Sequence, residues 1–166
     1  VSQTGVEVID SLLTRGGISS MFFTIILVLL SLSMGGLLFV LGIIQTLLGK
    51  IEALLKSVGA LITGTAFTAI CINLLVGEQY LSILLTGEAF KQKYDELGLH
   101  SKNLGRVMED AGTVINPLVP WSVCGLFIAS MLDVSVMSYF PFAFFCLLSP
   151  ILTILFGWLN MTIKKK

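Results

Sequence analysis

Long apolar segments interrupted from within limit this chain more than any other feature. The first, ISSMFFTIILVLLSLSMGGLLFVLGIIQTLL at 18–48, exceeds the roughly 20 residues that a straight helix needs to cross the hydrocarbon of a bilayer. It is expected to be a transmembrane helix that tilts, bends or overhangs, with Ser31, Ser33, Gly35 and Gly36 permitting close helix contact or a local bend. Composition agrees with a lipid solvent. Hydrophobic residues make up 55% of the chain and charged residues only 12%, with mean hydropathy +0.97, so an all-α integral membrane fold is expected rather than a soluble domain. Net charge is zero and the basic residues lie between the apolar runs, which leaves nucleic-acid binding without electrostatic support.

The second segment, 57–90, is broken by Asn73, Gly77, Glu78 and Gln79. A backbone that loosens inside a membrane frees polar groups that lipid cannot satisfy, so such a break is tolerated only against protein or water. The segment reads either as one spanning helix or as a re-entrant hairpin with its tip at 73–79. The placement of basic residues favours the hairpin. With Lys164, Lys165 and Lys166 cytoplasmic, the connection carrying Lys91, Lys93, Lys102 and Arg106 falls inside. A hairpin keeps Lys50 and Lys56 on that side too and leaves only Arg15 outside.

The third segment, 104–132, opens with RVMEDAGTVINPLVPW. If helical, Glu109, Thr113 and Asn116 recur at i, i+4 and i+7 and share one face. Pro117 and Pro120 then break the helix and are expected to free carbonyls near Thr113 and Asn116 for a cation. The fourth, 137–160, holds Pro141 and Pro150 but no acid, and reads as a scaffold transmembrane helix with Trp158 as interface anchor.

These residue types suit cation coordination better than bond breaking. Asn73, Glu78, Asp110, Thr113 and Asn116 offer the carboxylate, amide, hydroxyl and carbonyl oxygens that a hard cation such as sodium prefers. An acid removed from water can hold a proton and release it when a cation binds, which makes Asp110, Glu78 and Glu109 the candidates for proton coupling, with Gly77, Pro117 and Pro120 setting the breaks. No nucleophile-elbow, HExxH or phosphate-loop motif is present, so no enzyme activity and no cofactor are expected. Cys71, Cys124 and Cys146 lack metal or disulfide spacing and are expected to be small buried hydrophobes. His100 sits in a polar connection, where a proton-shuttle role has little support. Residues 1–17 carry no leader pattern, so a signal peptide is not expected.

The strings NLLVGEQYLSILL from Asn73, NLGRVMEDAGTVINPLVPWSVCG from Asn103 and YFPFAFFCLLSPILTIL from Tyr139, with LLTRGGISSM from Leu12 and MGGLLFVLG from Met34, resemble the C-terminal half of the NhaC-type sodium/proton antiporter family. The resemblance covers nearly all of 1–166. It implies one repeat of an inverted-repeat secondary transporter of the wider ion-transporter superfamily, with a re-entrant hairpin and a broken transmembrane helix. A multi-pass location in the bacterial inner membrane follows from it. So do the lipid bilayer and the N-terminal half of the same transporter as partners, with a homodimer left open. Sodium/proton antiport is the implied activity. Sodium- and proton-coupled exchange of organic anions such as malate and lactate is the alternative, and a non-transporting structural or channel subunit is the second.

Overall fold

The computed structural model describes residues 5–6, 9–10, 18–43, 46, 49 and 55–166. Its described elements are all helical: α1 (Ile18–Val40), α2 (Val58–Val76), α3 (Gln79–Glu96), α4 (Ser101–Met108), α5 (Val123–Leu132), the single turn α6 (Val136–Tyr139) and α7 (Phe144–Trp158). Among the described residues α2 is long and apolar enough to cross a membrane alone. Two bent pairs would each do so as one broken span, 101–118 with α5 at 46° and 136–142 with α7 at 56°.

The first apolar run is not one helix over 18–48. Gly42 adopts φ +70, a left-handed conformation natural to glycine, and α1 stops just before it at Val40. Residues 44, 45, 47 and 48 lie outside the described residues, as do Arg15 and Lys50. Gly35 serves packing: a Cβ there would lie 2.2 Å from Leu81 Cδ1. Gly36 faces open space.

Ser57 begins α2 by accepting a hydrogen bond from Ala60 N through Oγ at 3.2 Å, and Gly77, at φ 73, ends it with its N–H on Asn73 O. Glu78 then opens α3, its carboxylate accepting from Tyr80 N at 2.6 Å. The chain reverses across these two residues. Ser82 Oγ donates to Ala69 O at 2.6 Å and Tyr94 OH reaches Thr65 Oγ1 at 3.4 Å, so α3 runs back along α2. Leu61, Ile62, Ala66 and Ala69 of α2 meet Phe90 and Tyr94 of α3 and Leu104, Val107 and Ala111 beyond in one buried cluster. In lipid such contacts stabilise through close packing and hydrogen bonds rather than through release of water.

On its other side α2 packs on α7. A Cβ at Gly157 would sit 2.9 Å from Ile62, and one at Gly59 would sit 2.8 Å from the Trp158 ring, so both glycines admit a bulky neighbour. Trp158 Nε1 donates to Thr63 Oγ1 at 3.0 Å. The residue expected to anchor at an interface therefore also ties α7 to α2. The expected single helix over 137–160 is broken instead: a short turn of tight helix at Phe140–Phe142 contains Pro141, whose ring cannot donate to the preceding turn, and α7 starts afresh at Phe144. Pro150 is accommodated inside α7.

The last residues close the base. Asn103 holds both edges of Lys164, Nδ2 donating to its O at 2.6 Å and Oδ1 accepting from its N at 3.0 Å, while Lys166 pairs with Asp95 at 2.9 Å.

Candidate functional site

The third segment does not remain α-helical up to its prolines. After α4 it widens into a π-helical turn at Glu109–Thr113, then tightens into a 3-10 turn at Asn116–Leu118. Wider turns change which side chains share a face. The expected common face of Glu109, Thr113 and Asn116 is therefore lost: Glu109 is exposed, Thr113 half-buried and Asn116 fully buried.

The two breaks meet at two amides. Asn116 Nδ2 donates to Asn73 Oδ1 at 2.5 Å, and Asn73 Nδ2 donates to the Gly112 carbonyl in the π turn. Asn116 Oδ1 accepts from Cys124 N at 3.3 Å. Both asparagines are 0% exposed, so each amide depends on the other for the hydrogen bonds that burial would otherwise cost it. Thr113, beside Gly112, has a buried Oγ1 with no hydrogen-bond partner.

Residues that the sequence did not single out fix this pair. Ser122 Oγ donates to Asn116 O at 2.6 Å and accepts from Gly125 N at 2.9 Å. Asn116 O also accepts from Val119 N, so this carbonyl, expected to be freed by Pro120, is occupied. Trp121 Nε1 donates to Leu74 O at 2.7 Å, and Val123 N donates to Gly77 O at 3.1 Å. Tyr139 OH donates to Pro117 O at 2.6 Å. The signal for Ser122 was its position as a possible helix N-cap after a proline; the tryptophan and tyrosine contacts depend on folding.

Asp110 stands apart. Its carboxylate accepts from Ser149 Oγ at 3.1 Å and from Thr153 Oγ1, both on α7. These side chains and Arg106 line an open cleft of about 400 Å³. Arg106 Nη1 donates to Thr162 Oγ1 at 2.6 Å, whereas its Nε and Nη2 are buried without partners. The fourth segment is thus more than an apolar scaffold, although its Ser149 and Thr153 read in the sequence no differently from hydroxyls that satisfy their own helix. Glu78 is half-buried and spends its carboxylate on the α3 cap. His100 caps α4, its Nδ1 accepting from Lys102 N at 3.2 Å. The three cysteines are free and half-buried. Among the described residues no three His, Cys, Asp or Glu converge as a metal site.

The arrangement offers neutral oxygens buried between two helix breaks, with an acid on the far side of the same turn. That combination suits a weakly held hard cation.

The family model described as "Na+/H+ antiporter family" matches residues 1–161. This chain belongs to that family. It is 50% identical to the Na(+)/H(+) antiporter NhaC of Alkalihalophilus pseudofirmus over 99% of its own length and 36% of the relative's. It is 42% identical to NhaC of Bacillus subtilis over 95% of the chain and 35% of that relative. The malate-2H(+)/Na(+)-lactate antiporter of Bacillus subtilis is 34% identical over 94% and 33%. No solved structure matches. The chain spans about a third of the length of these relatives. Membership of an antiporter family makes this a membrane protein, in keeping with its apolar helices.

Proposed function

We propose that this chain is the C-terminal part of a sodium/proton antiporter of the bacterial inner membrane, and that its two helix breaks form half of the cation site. The observation that carries this reading is the buried Asn73–Asn116 pair joining the breaks. A sodium ion would take over the amide oxygens that now accept N–H groups, with Thr113 as a further oxygen. Asp110 would carry the coupled proton, being the acid that shares the π turn with Gly112 and Thr113 in a membrane segment, where ionisable side chains mark ion and proton routes. Glu78 and Glu109 are less suited to that step, the first being occupied as a cap and the second exposed.

On this reading α2 and α3 form the re-entrant hairpin of one of two inverted repeats. Alternating access moves the hairpin tip and the proline break together, because four hydrogen bonds join them: Asn73 to Gly112, Asn116 to Asn73, Trp121 to Leu74 and Val123 to Gly77. The other half of the site comes from the N-terminal half of the transporter.

A relative named for malate and lactate exchange favours a second reading, sodium- and proton-coupled movement of an organic anion. One experiment separates the two. The full-length transporter in vesicles is expected to move protons against a sodium gradient with no organic anion present. Flux that appears only after malate or lactate is added would replace antiport of sodium for protons by the second reading.

A further inference from the structure

Ser149 and Thr153 are the sixth and tenth of the fifteen residues of α7, so the Asp110 carboxylate they hold lies near the middle of that helix. If α7 crosses as the longer part of its bent pair, at about 1.5 Å per residue it covers most of the hydrocarbon thickness and the carboxylate lies within it. The cleft above it is walled on α7 by Phe145, Leu148, Leu152 and Phe156, with Arg106 and Thr162 on its polar side, and Phe145, Leu148 and Leu152 are 73%, 50% and 44% exposed. Acyl chains are a poor cover for a carboxylate with hydroxyl partners at this depth. Bulk water is a poor cover for an apolar rim of this size. A protein surface that is apolar at its edge satisfies both. The matched relatives have roughly two thirds of their length beyond the region this chain covers, enough to supply such a surface from the same polypeptide.

We propose that the face of α7 bearing Phe145, Leu148 and Leu152 is the surface on which the rest of the transporter packs, and that this packing closes the Asp110 cleft. The proposal rests on the chain being part of a longer antiporter and locates where the missing part docks. An apolar membrane helix seated there seals the carboxylate from lipid on one side and from water on the other, so that the acid exchanges protons only by the route the assembled protein leaves open.

The test measures coverage, not transport. Phe145→Cys, Leu148→Cys and Leu152→Cys are made singly in the full-length transporter after Cys71, Cys124 and Cys146 are replaced, then spin-labelled and reconstituted in phosphatidylethanolamine/phosphatidylglycerol vesicles. Collision with oxygen reports lipid, and collision with a water-soluble nickel chelate reports water. Labels at all three positions are expected to show several-fold lower oxygen accessibility than a single-span reference peptide in the same vesicles, with chelate accessibility equally low. Oxygen accessibility equal to the reference, or high chelate accessibility, would overturn the proposal. Oxidative dimerisation of the Leu148→Cys protein would assign the face to a second copy and overturn it too. Thermal unfolding identical to the parent shows that a labelled variant is folded, and three positions guard against loss of one. Because no flux is read, failure here leaves the antiport reading standing, and loss of antiport in the vesicle assay leaves this result interpretable.

Discussion

At the scale of single residues, the two asparagines act as one unit. Asn73→Ala removes the acceptor of Asn116 Nδ2 and the donor to Gly112 O at once, and a buried polar group left unpaired costs about 1–3 kcal/mol. The expected outcome in the full-length transporter is a lower unfolding temperature in sodium-free detergent together with a raised apparent KM for sodium in vesicle flux. An unchanged KM would make the pair structural only. Ser122→Ala loses an N-cap contact worth about 1 kcal/mol and removes one of the two donors to the Asn116 carbonyl, leaving Val119 N, so it is expected to show a milder rise in KM that Ser122→Thr reverses. Asn73 and Asn116 were legible in the sequence because an amide in an apolar run has few inexpensive places to go. The hydroxyls were not. Thr63, Thr65 and Ser33 bond the carbonyl four residues back within their own helices, whereas Ser149 and Thr153 reach across to Asp110. Nothing local distinguishes these uses, since the same hydroxyl satisfies itself either way.

Among the elements, the breaks were legible as breaks and not as shapes. Gly77 and the prolines mark where a helix cannot continue, but the π turn at Glu109–Thr113 holds neither glycine at its start nor proline, and it rotated Glu109 away from Asn116. Gly35 gives Leu81 room, the close contact expected of it, whereas nothing in the sequence marked Gly42 rather than its neighbours as the stop. Gly77 and Gly98 allow the effect of a break to be isolated. Both have positive φ, 73 and 66, yet a Cβ at Gly98 meets open space while one at Gly77 approaches Trp121 O at 3.1 Å. Gly98→Ala is expected to cost only the left-handed penalty, about 1–2 kcal/mol. Gly77→Ala should cost more and should also weaken sodium dependence, because it pushes on the residue whose indole holds Leu74 O. Thermal unfolding and sodium titration of the two variants in parallel check this. Equal losses for both would mean that the tip at Gly77 is an ordinary turn.

For the whole molecule, the decisive property is that its polar centres are only partly enclosed by its own helices. The Asn73–Asn116 pair is fully buried within the chain, whereas the Asp110 cleft opens between exposed aromatic and aliphatic side chains of α7. A coupled exchanger must keep its ion and proton sites from reaching both sides of the membrane at once. On the proposed reading this chain supplies one wall for the acid. The 166-residue chain reconstituted alone is therefore expected to give no sodium-driven proton movement, while co-reconstitution with the remaining part of the transporter restores it. Restoration should fail when the added part is combined with a chain carrying Asp110→Asn, because that variant keeps the fold and a hydrogen-bonding side chain of nearly the same size but cannot ionise. Sodium-dependent flux from the chain alone that disappears with Asn73→Ala would show instead that the described helices already contain a complete site, and that the open cleft on α7 faces its own second copy or lipid without cost to coupling.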